Sequence, residues 1–450
     1  MEEMNEEFEE LKTLLEQRNL TALRTELQDM NEVDAATFIE ELSPEQATLV
    51  FRLLPKEAAA EVFSNLEADT QQVIITAITD KELNAIIEDL SVDDAVDMVE
   101  ELPAGVVKRV LKSAAPETRV LINQFLKYPE NSAGSIMTAE YTDLRKTMTV
   151  QDAIKHIRSV GDDSEQIYTC YVTDATRHLE GVITLKELLF AADDGTIGEL
   201  MNEDVITAIT TDDREAVSRV MMKYDLLTLP VVDMEHRLVG LVTVDDVMDV
   251  MEEEATEDFQ KMAAMAPSEK PYLKTSVFTL ARNRIVWLLV LMVSAMITGA
   301  ILGKFEAAFA AMPLLVTFIP MLTDTGGNSG SQSSTMIIRG MAVGEIGMHD
   351  FFRVFWKELR VALICGGALS LVNFARLMLQ YPGQTAVAIT VSLAMYATVI
   401  MAKTIGGMLP MVANKLKVDP AIMAAPLITT IVDALSLVIY FSIASALLGL

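Results

Sequence analysis

Ala421-Ile-Met-Ala-Ala-Pro-Leu-Ile-Thr-Thr-Ile-Val-Asp-Ala-Leu-Ser-Leu-Val-Ile-Tyr-Phe-Ser442 is an apolar run with one charge, Asp433, near its middle. About 20 mainly apolar residues cross a bilayer as a helix, so the run predicts a membrane span over 421–448. A carboxylate at mid-depth is costly unless it faces protein, water or a cation. Asp433 is therefore a candidate cation ligand. Pro426, seven residues earlier, is expected to free backbone carbonyls that could add oxygen ligands.

Further charge-free runs at 285–303, 307–323 and 385–402 lie upstream. They predict five spans, at 285–304, 309–338, 355–379, 385–412 and 421–448. This count puts Arg282, Arg284, Arg339, Arg353, Lys357, Arg360, Lys415 and Lys417 on the side of the N-terminus, as the positive-inside rule asks. The expectation is a multi-pass plasma (inner) membrane protein with its N-terminus in the cytoplasm and its C-terminus outside. In the second span Gly326 and Gly330 form a G-x-x-x-G pair that allows close helix packing. Packing does not account for Asp324, Asn328 and Gln332, which are spaced by four and share one helix face. That face is expected to line a path for a hydrated cation.

Charge divides the chain. Residues 1–270 hold 58 Asp/Glu against 23 Lys/Arg, and residues 271–450 hold 7 against 12. The opening MEEMNEEFEE lacks the basic and apolar regions of a signal peptide, so the acidic half is expected in the cytosol. With two cysteines, Cys170 and Cys365, one in each half, no disulfide is expected. Such an excess of negative charge raises the energy of any compact arrangement. Carboxylates are hard ligands suited to Mg2+ or Ca2+, whereas four His and two Cys make a soft-metal site a poor fit. Ordinary acidic solubility is the competing account of composition alone.

Within the acidic half an apolar residue followed by a break and an acid recurs every 12 residues, at Met30, Leu42, Leu54, Leu66, Ile78, Leu90, Leu102 and Ala114. Ser43-Pro44-Glu45 and Ser91-Val92-Asp93-Asp94 fit helix starts. Each unit is thus one short helix that must stack on its neighbours as a helical solenoid. From 137 to 253 a strand, Gly, strand, Thr-x-x-acid and helix pattern occurs twice, through Gly181 to Glu187 and Gly240 to Asp246. It resembles a tandem pair of CBS domains. That resemblance implies adenine nucleotide binding, with Thr243, Asp246 and Thr184 as candidates; a purely structural pair is the alternative. A dense acidic helix, Asp249 to Lys261, then leads toward the first span.

With solenoid, CBS pair, acidic helix and five spans in this order, the chain resembles the MgtE family of magnesium channels. TGGNSGSQSS, VTVDDVMDV and EEEATED are the most specific strings. The resemblance implies a homodimer with a pore on its axis, and closure by cytosolic Mg2+ with the acidic helix as a plug, modulated by ATP at the CBS pair. It implies pore roles for Asp433 and for Asp419 in the last loop. It implies regulatory cation roles for Glu61, Asp93, Asp97, Glu215, Asp225, Asp246, Asp249, Glu254, Glu257 and Asp258, with Asp94 able to replace a neighbour. The expected fold is multidomain: an N-terminal extension (1–30), an all-α solenoid (31–130), an α/β tandem CBS pair (137–200 and 201–253), a connecting plug helix (254–280) and a five-helix transmembrane domain (281–450). The function expected is Mg2+ uptake by a channel, with a secondary carrier or a membrane-anchored nucleotide receptor as alternatives. No enzyme activity is expected, since no nucleophile and base arrangement stands out, and no nucleic-acid partner. A pump is disfavoured because Gly299 to Phe305, the nearest string to a phosphate-binding loop, is one residue short and lacks the Ser/Thr.

Overall fold

The computed structural model describes residues 2–56, 58–161, 164–268, 272–423 and 425–449. The chain divides into two compact units, Met1–Met251 and Glu252–Leu450.

The first unit opens with ten helices: α1 (Glu2–Glu16), α2 (Leu20–Asp29), α3 (Glu32–Glu40), α4 (Pro44–Phe51), α5 (Ala59–Ser64), α6 (Ala68–Ala77), α7 (Asp80–Asp89), α8 (Val92–Glu101), α9 (Ala104–Ser113) and α10 (Pro116–Phe125). From α6 onward each helix has 10 residues. Each of α6 to α9 ends on an apolar residue of the 12-residue repeat: Ile78, Leu90, Leu102 and Ala114 all take extended backbone, with ψ between 144° and 166°. The next residue is already the following N-cap. Thr79 and Ser91 accept from the third helical N–H there, satisfying donors that a helix start leaves open. A 10-residue helix and a two-residue corner make the period of 12. Acids then tie non-adjacent helices. Glu40 accepts from the Glu67 N–H and the Thr70 hydroxyl, and Glu88 likewise from Ala115 and Thr118, at 2.8–2.9 Å. The first thirty residues join this core: Phe8, Leu11, Leu15, Leu23 and Leu27 are buried with it, and the Phe8 and Phe38 rings lie 5.4 Å apart.

Two like-folded modules follow. One comprises β1 (Tyr141–Leu144), α11 (Val150–Val160), β2 (Gln166–Thr173), β3 (Leu179–Thr184), α12 (Leu185–Phe190) and α13 (Ile197–Leu200). The other comprises β4 (Ala208–Ile209), α14 (Arg214–Tyr224), β5 (Thr228–Val232), β6 (Leu238–Thr243) and α15 (Val244–Met262). Each sheet has three strands, the first pair parallel and the second antiparallel. Each module's sheet is extended by the segment that introduces the other: Thr138 bridges Leu241 on β6, and Asn202 bridges Val182 on β3. At Gly240 a Cβ would come within 2.5 Å of the Thr138 carbonyl, so glycine there is required by the exchanged segment. The core of the second module is continuous with that of the solenoid.

The connecting helix expected over 254–280 is placed differently. α15 starts at Val244, directly from β6, and stops at Met262. Ala264 takes φ 54°, and the Gln260 side chain accepts from the Ser268 N–H at 2.6 Å, closing the turn. Residues 269–271 lie outside the described residues.

The second unit is built from α16 (Val277–Lys304), α17 (Glu306–Ala311), α18 (Ile319–Ala342), α19 (Phe351–Gln380), α20 (Thr385–Lys415) and α21 (Ala425–Leu448). Among the described residues four segments, Val277–Lys304, Met348–Gln380, Thr385–Lys415 and Pro420–Leu448, are long and apolar enough to cross a membrane. α18 is the fifth long helix, with 24 residues. The span expected over 309–338 is corrected: α17 ends at Ala311, a short 3-10 turn covers Pro313–Phe318, and α18 begins only at Ile319. Pro313 and Pro320 lack the N–H a continuous helix would need, and each sits at a helix start where none is missed. α18, α20 and α21 pack on one another. At Gly406 of α20 a Cβ would stand 2.2 Å from the Gly330 carbonyl of α18; only a glycine lets these backbones meet. Gly326 and Gly330 are both buried there.

Candidate cation sites

In the first unit a cavity of about 170 Å3 is lined, among the described residues, by seven carboxylates and by no Lys, Arg or His. Glu61 comes from α5, Asp89 from the end of α7, and Asp93 and Asp94 from the first turn of α8. Glu165 precedes β2, and Asp245 and Asp246 come from the first turn of α15. Helix starts favour acids because their free N–H groups and dipole are positive. The solenoid and the second module thus turn the acidic ends of α8 and α15 onto one space. One oxygen of Asp93 is buried with no hydrogen-bond partner, an arrangement costly for a carboxylate unless a cation satisfies it. Asp246 accepts from the Thr243 hydroxyl at 2.5 Å while still lining the cavity. The donor set is all hard oxygen, which suits Mg2+ or Ca2+. Among the described residues no three acids already stand as a formed metal site, so a bound ion here would keep water ligands or draw the walls together.

The cavity's charges show in their protonation. Loss of hydration, joined by the neighbouring negative charge of Asp93, pushes Asp94 up to about 6 and Glu165 and Asp246 up to about 7. Asp97, one turn along α8 from Asp93, is pushed up to about 7 by loss of hydration and then by the charges of Asp93 and Asp94. A carboxyl whose pKa rises on folding binds more protons folded than unfolded. Its charged form therefore opposes folding above about pH 7, and the fold gains stability as pH falls from there toward the ordinary carboxylate range. In divalent-free buffer, amide hydrogen exchange of α8, corrected for the intrinsic rate, is expected to slow between pH 8 and 6. Saturating Mg2+ should flatten that dependence. Exchange unaffected by pH would show that the acids are not held together.

Other expected residues stand elsewhere in this unit. Glu215, in the first turn of α14, takes Arg219 at 2.7 Å. Asp225 is the exposed C-cap of α14 in left-handed conformation, φ 52°. Asp249 is exposed on α15. None of these three lines the acidic cavity. Thr184 and Thr243 occupy matching positions after β3 and β6. Thr184 forms a capping box with Glu187, so the Thr-x-x-acid motif has a helix-starting role in both copies.

In the second unit the last turns of α15 carry Glu254, Glu257 and Asp258. Lys261, which sequence reading overlooked, pairs with Glu257 and with Asp419, each at 2.6 Å. Burial acts against its charge, but hydrogen bonds to those two acids outweigh it and push the ammonium up to about 12. Asp419 also accepts from the Ala421 N–H at 2.8 Å. It anchors the loop before α21 rather than standing in the bundle. Loss of hydration and then the charge of Asp419 hold Asp258 above the usual carboxylate range.

Within the bundle Asp433 is half-buried on α21, one turn from the crossing where Gly326 and Gly330 of α18 meet Val432 and Ile428. Asp324 of α18 lies close enough for its charge to act on the Asp433 carboxylate. Asp324, Asn328 and Gln332 are all exposed on the outer face of α18, whereas its glycines and Ser333 and Ser334 turn inward. The expectation about Pro426 is corrected. It lies in the first turn of α21, where its missing N–H frees no bond, and its own carbonyl is taken by Thr429 and Thr430 at 2.9 Å. The Met423 carbonyl is taken by Ser334 at 2.9 Å. Two further charges lie inside the bundle. Lys403, 6% exposed, reaches Gln332 at 3.4 Å, and Glu358 accepts from Ser333 at 2.6 Å. Isolation in an apolar run could have singled out Lys403, whereas Glu358 stands beside Lys357 and Arg360 and carried no such signal.

Comparison with known proteins adds to this geometry. Residues 30–131 match the family described as the MgtE intracellular N domain, 133–194 and 197–253 match the CBS domain, and 319–443 match MgtE, a divalent cation transporter. The magnesium transporter MgtE of Thermus thermophilus is 37% identical over 97% of this chain and 98% of its own length. That of Bacillus subtilis is 31% identical over 96% and 95%. A crystal structure of the cytosolic domain of the Mg2+ channel MgtE in complex with ATP covers 53% of this chain and 98% of its own, at 38% identity and a TM-score of 0.51. The soluble part of a magnesium transporter covers 56% and 99%, at 29% identity and 0.53.

Proposed function

The chain belongs to the MgtE family of magnesium transporters, and from that premise we propose that its C-terminal helices conduct Mg2+ and that cations held by the acidic cavity close the path. The single observation carrying the regulatory half is that cavity: among the described residues, seven carboxylates without a basic side chain, one oxygen buried and unpartnered. Asp93 and Asp246, on facing helix starts, would hold the regulatory cation, with Glu61, Asp94 and Glu165 completing an acidic wall. The ion supplies positive charge between groups that otherwise repel. With the repulsion removed, the start of α15 is held against α8. α15 carries Asp246 in its first turn and Glu257, Asp258 and Lys261 in its last turns, so it is the element by which cavity occupancy would reach the Asp419 loop. Glu215, Asp225, Asp249 and Glu254 are proposed as weaker acidic partners for the same ions.

For conduction, Asp433 and Asp324 are proposed to take the cation, with Asn328 holding its water. Polar groups do not face lipid at membrane depth, so the exposed row on α18 calls for a second copy. A homodimer with the pore between its copies is the reading this supports. The basic residues flanking the spans support an N-terminus in the cytosol and a C-terminus outside. ATP at the CBS pair rests on the ATP-bound relative. Thr184 and Thr243 are its proposed contacts, and Thr243 would have to share its hydroxyl with Asp246.

The test is Mg2+ flux into proteoliposomes. Uptake that is suppressed when Mg2+ is raised on the face bearing the N-terminus is the expected result. No uptake above empty vesicles would defeat the transport reading, and uptake indifferent to that Mg2+ would defeat the regulatory one.

A further inference from the structure

A second cavity, about 520 Å3, lies on the solenoid beside the acidic one, and Ala60 and Asp89 line both. Its chemistry is opposite. Arg24 of α2, Arg52 at the end of α4, Lys56 and Lys81 of α7 surround it, against two acids among the described residues, Glu82 and Asp89. Residues 1–130 hold 29 acidic and 11 basic side chains, so the groove gathers over a third of the region's cations in one place.

Those cations are not spent on the many carboxylates nearby. Among the described residues Arg24, Lys56 and Lys81 have no ion-pair partner, and Arg52 has only a loose one, 3.8 Å from Glu82. Glu82 is already engaged, accepting from the Thr79 N–H and hydroxyl at 2.7 Å. The Arg52 guanidinium is steadied by the Ala77 carbonyl at 2.9 Å. Positive charges held close together repel unless an anion sits between them. The floor beneath them is apolar, formed by Phe51, Leu54, Ile78 and Ile86, each 4–8% exposed. A volume of this size suits a small molecule.

We propose that this groove binds a small amphiphilic anion, with a phosphate or carboxylate head among Arg24, Arg52, Lys56 and Lys81 and an apolar ring or short chain on the floor. The site is separate from the acidic cavity and from the CBS pair, and it does not depend on the transport reading. Arginine and lysine are the side chains that hold such heads, Arg52 in a fork and the lysines as point charges.

The probe is 1-naphthyl phosphate, titrated onto the full chain in nanodiscs in Mg2+-free, low-salt buffer and followed by ligand-observed NMR. Saturable binding with Kd below about 1 mM is expected. Lys56→Glu combined with Lys81→Glu, both exposed side chains whose reversal leaves the core intact, should weaken it at least tenfold. Inorganic phosphate should also bind at least tenfold more weakly, since it lacks the apolar body. Absence of saturable binding, or binding unchanged in the double variant, would each overturn the proposal.

Discussion

Asp433→Ala should lower Mg2+ flux by at least about a hundredfold while leaving the protein folded. The estimate takes the loss of one charged ligand in a poorly hydrated site as about 3 kcal/mol, a little over two decades of rate. Asp433 is the only charge on α21, and removal of its carboxylate leaves Asp324 to compensate a doubly charged ion alone. Asp433→Asn separates charge from shape: it keeps the volume and one carbonyl oxygen, and is expected to fail nearly as badly. Flux measured in proteoliposomes, with size-exclusion profiles matching wild type, decides the point. Flux within about twofold of wild type in either variant would remove Asp433 from the conduction path.

Asp93→Asn combined with Asp246→Asn should do the reverse, leaving conduction intact and weakening closure. The amides relieve part of the repulsion in the acidic cavity, which by itself favours the closed arrangement. They also remove the buried, unpartnered oxygen charge of Asp93 and the facing charge on α15. The second effect should win, because five carboxylates still repel while the best pair of ligands is gone. Inverting a 1:99 population takes about 5.5 kcal/mol, and weak sites must combine to reach it. Loss of one combined site should therefore move the inhibitory midpoint upward by tenfold or more and make the response shallower. A midpoint unchanged from wild type would show that regulation lies outside this cavity.

Much of the candidate site was readable from the chain, for local reasons. The 12-residue repeat survives as a 10-residue helix and a two-residue corner, because cap and corner are both set by neighbours in sequence. Asp433 stood out because an ionised group in an apolar run is expensive wherever the helix goes. The spacing of Asp324, Asn328 and Gln332 read as one face because helical periodicity is local, and the three residues are exposed together. Reading failed where the decisive partner is remote. Pro426 could be a kink or a helix start, and only the preceding 3-10 turn settled it as a start. Lys261 closed a dense acidic helix with nothing to single it out, because its partner Asp419 lies far along the chain.

By itself, then, the sequence determined the division into an acidic and an apolar half, the helical repeat, the doubled α/β module and the apolar segments. Each is a matter of composition or periodicity within a few turns. Only the tertiary structure decided which of the 65 acidic residues share a space. Glu61, Asp93, Glu165 and Asp246 come from four places in the chain, and their neighbourhood depends on how solenoid and second module pack. The same packing gathered Arg24, Arg52, Lys56 and Lys81 into a groove. Charge acts through distance in space, and separation in sequence does not report that distance until the chain has folded.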